Sequence, residues 1–221
     1  MATATDHATI DKFAGTMTLA EALGPTGGAA LRAKQAILVA LGVALLTAAA
    51  QIKVAVPPSP VAVNLGTFAV LTIGAAYGPR LGLTTILAYM GIGALGFDVF
   101  QSSTAELNGL DYMMGSTGGY LVGYVLAVLA MGALARRGWD RSVVWMALAM
   151  LIGNAILYVP GLAWLGLLVE QGMFRPETYA SVWDQTLAWG LTPFLIGDAM
   201  KLALAALLLP AAWALVGRAR R

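Results

Sequence analysis

Long apolar stretches separated by short polar segments dominate the sequence. An α-helix needs roughly 20 apolar residues to cross the hydrocarbon core of a bilayer. Six stretches approach that length, and they lie at about 34–54, 61–77, 81–97, 115–135, 143–168 and 188–216. The pattern predicts an all-α integral membrane protein that folds as a bundle of six transmembrane helices.

The composition supports a membrane protein and argues against several other classes. Charged residues make up 11% of the chain, against about 25% in soluble domains. Lys and Arg are scattered between apolar runs, so no nucleic-acid-binding face is expected. There is no cysteine, and the single histidine, His7, lies in the polar N-terminal region, so no metal site is expected. We interpret residues 1–32 as a polar cytoplasmic tail and residues 33–221 as one membrane domain.

The distribution of basic residues predicts the orientation of the bundle. With the N-terminus in the cytoplasm, ten Lys and Arg side chains fall on the inner side and only Lys53 and Arg175 on the outer side. This excess follows the positive-inside rule. We therefore expect a multi-pass protein of the cell membrane with both termini in the cytoplasm. Two long outer loops, 98–114 and 170–186, are then placed to cover an outward-facing pocket.

Two charged residues, Asp198 and Lys201, interrupt the last apolar stretch. Each charge inside a membrane span costs about 2.5–3.5 kcal/mol on insertion scales. Residues three apart share one face of a helix, so one interpretation is a self-neutralising ion pair that only helps packing. We favour a pair that faces a cavity and holds a polar group of a ligand. An enzyme that uses the Asp198 carboxylate is a further hypothesis, but no Ser/His or Cys/His pair is available to assist it.

Amide and aromatic side chains provide further candidate ligand contacts. Asn64 and Asn154 lie at membrane depth, where an amide forms either an interhelical hydrogen bond or a ligand contact. Tyr158 and Trp164 fall near the face of Asn154, and they either wall a pocket or belong to the aromatic belt at the outer interface. The segment 115–121, GSTGGYL, predicts a glycine-rich helix N-terminus, whose free N–H groups suit an anion.

Small residues form a stripe along the first apolar stretch. Ala36, Ala40, Ala44 and Ala48 recur at a spacing of four, the pattern that lets helices approach closely in lipid. The stripe predicts either packing against the protein's own helices or a docking face for another membrane protein.

Several motifs occur in an order that is typical of one family. They are Gln51-Ile52 followed by PSPV, TFAV at 67–70, GPRLG at 78–82 with Tyr89 after it, GSTGGYL at 115–121, and Gly197-Asp198-x-x-Lys201. Together they resemble the BioY family, the biotin-binding S components of energy-coupling-factor (ECF) transporters, over about residues 35–210. There are two departures, since Ser116 replaces the family's proline and VNLGT at 63–67 replaces its VTLQT.

The resemblance implies a function for the chain as well as a fold. It implies six helices, a biotin pocket open to the outside, and a transporter subunit that is not an enzyme and needs no cofactor. Biotin would be delivered inward with a transmembrane T subunit and ATP-binding ATPase subunits. By position, Asp198 and Lys201 would hydrogen-bond the ureido ring or the carboxylate of biotin. A stand-alone carrier of biotin, or a carrier of another vitamin, is the alternative.

The same resemblance suggests secondary contacts. The further candidates for biotin binding are Gly118, Gly119, Tyr120, Asn154, Tyr89 and Asn64. If the replaced family residues contact biotin in relatives, either Asn64 substitutes for them here or the pocket is rearranged. The alanine stripe resembles the small-residue motif with which S components dock on the T subunit.

Overall fold

The structure of the protein is a computed structural model, and it describes residues 17–55, 59, 61–104, 107–173 and 179–219. In chain order the elements are α1 (Leu19–Ala22), α2 (Gly28–Gln51), β1 (Lys53–Val54), β2 (Val63–Asn64), α3 (Gly66–Ala94), α4 (Gly109–Met113), α5 (Gly118–Ala135), α6 (Val143–Glu170), α7 (Val182–Gly190) and α8 (Leu195–Ala219). Short 3₁₀ turns at Trp139–Arg141 and Thr192–Phe194 precede α6 and α8. The first half of the predicted tail, with His7, and the outer Arg175 lie outside the described residues.

The long helices account for most of the predicted spans. Four helical segments in the described part of the chain are long and apolar enough to cross a membrane, namely α2, α5, α6 and the stretch Val182–Arg218, which covers α7 and α8 as far as Arg218. They correspond to the first, fourth, fifth and sixth predicted stretches. The predicted all-α membrane fold is therefore confirmed at this level.

The second and third predicted stretches form α3, which folds into a helical hairpin. Gly78 has φ +79° and ψ 176°, which interrupts the helix in a region that favours glycine. Pro79 then opens the second half, where its missing N–H leaves no hydrogen bond unmade. A Cβ on Gly82 would lie only 3.5 Å from the Cα of Gly74. The two halves of α3 therefore run back along each other.

Helix α5 packs between this hairpin and α6. A Cβ on Gly132 would lie 2.3 Å from the backbone nitrogen of Pro79, and one on Gly123 would lie 2.6 Å from the carbonyl oxygen of Leu157. Small residues at such points let helix backbones approach closely in lipid, where association depends on packing. These contacts hold the hairpin and α6 on opposite sides of α5.

Basic residues collect at one end of the bundle, which we call the basic end. Arg136, which follows α5, forms an ion pair with Glu21 of α1. The indole of Trp213 in α8 donates a hydrogen bond to Asp140 in the connection between α5 and α6. Helix α1 also packs against the reversal of α3 at Gly78. The opposite end carries the antiparallel strands β1 and β2 together with α4 and α7. We call it the hairpin end after this pair of strands; the reversal of α3 at Gly78 lies at the basic end.

The predicted second helix begins later than expected, and this changes the position of Asn64. Strands β1 and β2 pair antiparallel, with Lys53 opposite Asn64. The Asn64 Oδ1 accepts a hydrogen bond of 2.6 Å from the backbone N–H of Gly66, which satisfies a free donor at the start of α3. Asn64 therefore lies in a short strand at the hairpin end. The prediction that it lies within a helix is wrong.

The last predicted stretch is broken rather than continuous. Leu191 has φ −127° and ψ −58°, which ends α7, and Pro193 lacks the N–H that a continuing helix would need. Helix α8 then starts at Leu195, so Asp198 lies in its first turn. The predicted single helix over residues 188–216 therefore misses this helix N-terminus.

Candidate functional site

A cavity lies at the hairpin end of the bundle, enclosed mainly by α2, β2, α3, α5 and α6. Seven aromatic side chains form most of its wall: Tyr89, Phe100, Tyr112, Tyr120, Tyr124, Tyr158 and Phe194. The polar side chains that line it are few and include Asn64, Thr67 and Lys201. The cavity has a volume of about 50 Å³. This mixture of apolar surface with a few placed polar groups is typical of small-molecule sites.

Lys201 places a buried cation at the wall of the cavity. Its Nζ lies 3.0 Å from the Oδ1 of Asp198 and 2.9 Å from the Oγ1 of Thr67 in α3. Lys201 and Asp198 are each 6% exposed. The two charges therefore form the ion pair that their spacing allows, and the pair connects α8 to α3.

Asp198 lies behind this wall, and both of its carboxylate oxygens are hydrogen-bonded. Oδ1 accepts from Lys201, and Oδ2 accepts from the hydroxyl of Tyr158 in α6. The first turn of a helix favours a negative charge because the free N–H groups and the macrodipole point toward it. The break at Leu191 thus creates a helix start that stabilises the buried carboxylate of Asp198.

The segment that follows α3 covers the cavity with a phenylalanine. Phe100 is 1% exposed, stacked on Tyr112 with ring centroids 4.9 Å apart and edge-on to Tyr89 at 5.3 Å. A Cβ on Gly93 would lie 2.1 Å from the ring of Phe100, so this position has room only for glycine. Such aromatic pairs are worth about 0.5–1.5 kcal/mol each beyond the area they bury.

Three side-chain hydrogen bonds fasten the backbone of this covering segment. The Tyr89 hydroxyl donates to the carbonyl of Val99 at 3.0 Å, and the Tyr112 hydroxyl donates to the carbonyl of Gln101 at 2.6 Å. The Gln51 side chain, at the end of α2, donates to the carbonyl of Phe100 at 3.2 Å. The segment is therefore held by groups from three helices, α2, α3 and α4.

Four of the residues predicted to form the site line this cavity. They are Asn64, Tyr89, Tyr120 and Lys201. The ring of Tyr120 lies edge-on to Tyr158, with centroids 6.3 Å apart, and its hydroxyl donates to the carbonyl of Gly190 at 2.8 Å. Asp198 joins this group through Tyr158 and Lys201. The structure thus brings together residues that are far apart in the sequence.

The structure places Gly118, Gly119 and Asn154 away from the lining of the cavity. A Cβ on Gly118 would lie 2.1 Å from the carbonyl oxygen of Met113, and one on Gly119 would lie 2.3 Å from that of Pro160. Both glycines therefore serve close backbone packing. Asn154 is 8% exposed, and its Oδ1 has no hydrogen-bond partner among the described residues.

Several lining residues were not singled out from the sequence. Thr67 carries no local signal of a site, because its hydrogen bond with Lys201 follows from the packing of α3 against α8. Phe100 and Tyr112 both lie within the predicted outer loop 98–114, and the sequence of that segment has no periodicity to indicate which side chains point inward. In the described part of the chain, no group of three or more His, Cys, Asp or Glu residues is placed to hold a metal ion.

The alanine stripe lies on the exposed face of α2. Ala36, Ala40, Ala44 and Ala48 are all exposed. The face of α2 that packs on the bundle consists instead of Gly42, Leu46, Ala49 and Ala50. The stripe is therefore not used for packing within the described part of the chain.

The family model and the relatives that match this chain all belong to one family. Residues 24–218 match the model of the BioY family. A probable biotin transporter BioY from Pyrococcus horikoshii is 33% identical over 178 residues, which cover 80% of this chain and 95% of the relative. The biotin transporter BioY from Thermotoga maritima is 29% identical over 155 residues, which cover 70% of this chain and 82% of the relative.

A solved structure shares the fold. It is the S component for biotin from an ECF-type ABC transporter, and it superposes with a TM-score of 0.68. The match covers 84% of this chain and 93% of that chain, at 16% sequence identity. At this identity the likeness bears on the fold, in which the aromatic cavity and the Asp198–Lys201 pair are set.

Proposed function

The chain belongs to the BioY family, and from this premise we propose that it is the biotin-binding S component of an ECF-type vitamin uptake transporter. The observation that carries the proposal is the Asp198–Lys201 pair at the wall of an aromatic cavity. The relatives named above are transporters by name, which favours a transport subunit over an enzyme that uses Asp198.

Biotin has the chemistry that such a cavity would bind. Its ring system and tail are largely apolar, and its polar groups, a cyclic urea and a carboxylate, lie at opposite ends. An ammonium group has three donors, of which Lys201 directs one to Asp198 and one to Thr67. The third donor is left for an oxygen of the ligand. Asp198 would then hold Lys201 in place, or accept from a urea N–H after exchanging one of its present partners.

Biotin binding requires the cavity to open. Its volume of about 50 Å³ is far below the roughly 300–1,000 Å³ of ligand pockets. The covering segment with Phe100 is the part that we expect to move, because it is a connection rather than a helix and lies at the hairpin end. Loading would separate Phe100 from Tyr89 and Tyr112.

We assign six membrane crossings, with the two halves of α3 as the second and third. The halves, 66–77 and 79–94, are about 18 and 24 Å long at 1.5 Å per residue, shorter than a hydrocarbon core of about 30 Å. Burial of the hairpin against α5 supports short spans of this kind. The basic end would face the cytoplasm, with both termini, and the cavity would open outward from the cell membrane.

The exposed alanine stripe is our proposed docking face for the T subunit, which joins this chain to the ATPase subunits. Ala44→Leu or Ala48→Leu would place a bulky side chain where close approach is needed. Co-purification with a T subunit and its ATPases should then be lost. Ala211→Leu, the same substitution on the exposed side of α8, is the matched control and should assemble normally. Normal assembly of the Ala44 and Ala48 variants would contradict the docking claim.

Ligand identity is tested with the purified chain in detergent after bound ligand is removed. The six tryptophans make intrinsic fluorescence a usable signal, and biotin should give a saturable change at micromolar concentration. Other vitamins, added in excess, should not displace it. No saturable change with biotin would refute the proposal, and displacement by another vitamin would assign the chain to that substrate. Biotin uptake by cells that lack a T subunit would favour the stand-alone carrier instead.

A further inference from the structure

A second cavity, a lateral groove, lies between α2 and the second half of α3 and extends from the basic end. Its volume is about 820 Å³, at the upper end of the roughly 300–1,000 Å³ that small-molecule pockets occupy. Helix α1 and Arg136 line the groove at the basic end, and Ala36, Ala40 and Thr84 border it where it is exposed. Nothing in the proposed capture of biotin uses this groove.

The mouth of the groove is positively charged and structurally fixed. Lys34 donates hydrogen bonds to the carbonyls of Ala20 at 3.0 Å and Leu23 at 2.8 Å, which ties α2 to α1. Arg136 is held by Glu21. With Arg80, three cations line the mouth against a single carboxylate. The mouth therefore carries a net positive charge on side chains that, except for Arg80, have defined positions.

Arg80 is the cation at the mouth that protein groups leave available. It is exposed, and its guanidinium makes no hydrogen bond or ion pair with any of the residues that the structure describes. A guanidinium presents five donors in a planar fork that matches the oxygens of a phosphate. Arg80 is thus positioned to bind an anionic group at the level of the membrane interface.

Beyond the mouth the groove is apolar. Most of its lining there is apolar and includes Val39, Val43, Leu81, Ala88 and Ile92, with Thr84 at the exposed border. The helix rises about 18 Å over the twelve steps from Arg80 to Ile92, at 1.5 Å per residue, slightly more than one leaflet of a hydrocarbon core of about 30 Å. The groove thus combines a cationic mouth with an apolar channel that is as long as a leaflet is deep.

We propose that this groove binds an anionic phospholipid of the inner leaflet, with its phosphate at Arg80 and one acyl chain between α2 and α3. Basic pockets between transmembrane helices on the cytoplasmic side are suited to anionic headgroups. The acyl chain covers the apolar surface of Val39, Val43 and Ile92. A bound lipid also connects α2 to α3 near the basic end, so it stabilises the position of α2 in the bundle.

The headgroup is tested by native mass spectrometry of the full chain after delipidation in a neutral detergent. Dioleoyl phosphatidylglycerol should be retained more strongly than dioleoyl phosphatidylcholine, which has the same chains and no net charge. Arg80→Gln should weaken phosphatidylglycerol binding by about fivefold, the effect of one basic residue at an anionic interface. The matched control is Arg137→Gln, at an exposed arginine of the same end that does not line the groove, and it should bind like the wild type.

The acyl-chain position is tested by filling the groove. Ala88→Phe should abolish retention of phosphatidylglycerol, whereas Leu87→Phe, at the neighbouring exposed position outside the groove, should not. Biotin titrations of these variants should match the wild type, which separates this proposal from the capture of biotin.

Three results would overturn the proposal. The first is equal retention of the two lipids by the wild type. The second is an effect of Arg80→Gln with none of Ala88→Phe, which would indicate general attraction to a charged surface. The third is loss of T-subunit assembly by Ala88→Phe with lipid retention intact, which would make the groove a protein-docking surface.

Discussion

Replacement of Lys201 by methionine removes one charge of the buried pair while keeping an unbranched apolar side chain. The side chains of Lys201 and Asp198 are 7% and 8% exposed, and the two charged atoms lie 3.0 Å apart. Removal of one partner of a buried pair costs about 3–5 kcal/mol, because the remaining charge loses its counterion. Lys201→Met also removes the hydrogen bond to Thr67. We expect the free energy of unfolding to fall by about 3–5 kcal/mol.

The double variant Asp198→Asn/Lys201→Met is the control for this loss of stability, because it removes both charges of the pair. The amide oxygen of asparagine can still accept from Tyr158, and no charge remains to be neutralised. Replacement of both partners of a buried pair is often close to neutral, so we expect the double variant to lose no more than about 1 kcal/mol. The double variant should therefore be more stable than the single one.

The assay is equilibrium unfolding in mixed micelles with a rising fraction of denaturing detergent, without biotin. Tryptophan fluorescence and helicity should report the same transition for the wild type and both variants. If Lys201→Met is as stable as the wild type, the pair contributes nothing before ligand arrives. If Lys201→Met is as stable as the double variant, the charge of Asp198 is not left uncompensated and the ion-pair reasoning is wrong.

Three further predictions concern the surroundings of the pair, the cover of the cavity and the basic end. Tyr158→Phe should raise the biotin Kd by about tenfold or more, because a hydrogen bond to a charged group is worth roughly 1.5–3 kcal/mol; unchanged affinity by calorimetry would contradict a role in positioning Asp198. Gly93→Ala should cost about 1–3 kcal/mol of stability by overpacking against Phe100, and an unchanged unfolding midpoint would contradict that packing. Burial raises the pKa of the Asp140 carboxyl, so its contribution to stability is present at acid pH and is lost as the pH rises through the folded-state pKa. Asp140→Asn should therefore gain thermal stability relative to the wild type between acid and neutral pH, and a constant difference between the two would contradict this.

The features that the sequence predicts well are those set by composition and local spacing. The length of each apolar stretch predicts the long helices, because a bilayer admits few other structures. The cost of a charge in lipid draws attention to Asp198 and Lys201, and a spacing of three residues predicts that they meet. These inferences need no knowledge of which helices are neighbours.

The features that the sequence does not predict depend on contacts between distant segments. Asn64 lies outside the helix because its strand pairs with residues 53–54, and no local sequence pattern predicts a pair of two-residue strands. Gly118 and Gly119 resemble an anion-binding turn, yet their neighbours Met113 and Pro160 show that they serve packing. The break at Leu191 is obscured because apolar residues continue on both sides of it.

Calorimetric titration of biotin into the wild type and Asp198→Asn tests the central claim most directly. Thermal unfolding of both proteins shows beforehand that the variant is folded. The wild type should bind biotin at micromolar concentration or below. Asp198→Asn should bind at least about tenfold more weakly, because Lys201 loses the charge-assisted bond that orients it. Equal affinity in the two proteins would show that the Asp198–Lys201 pair only supports the fold.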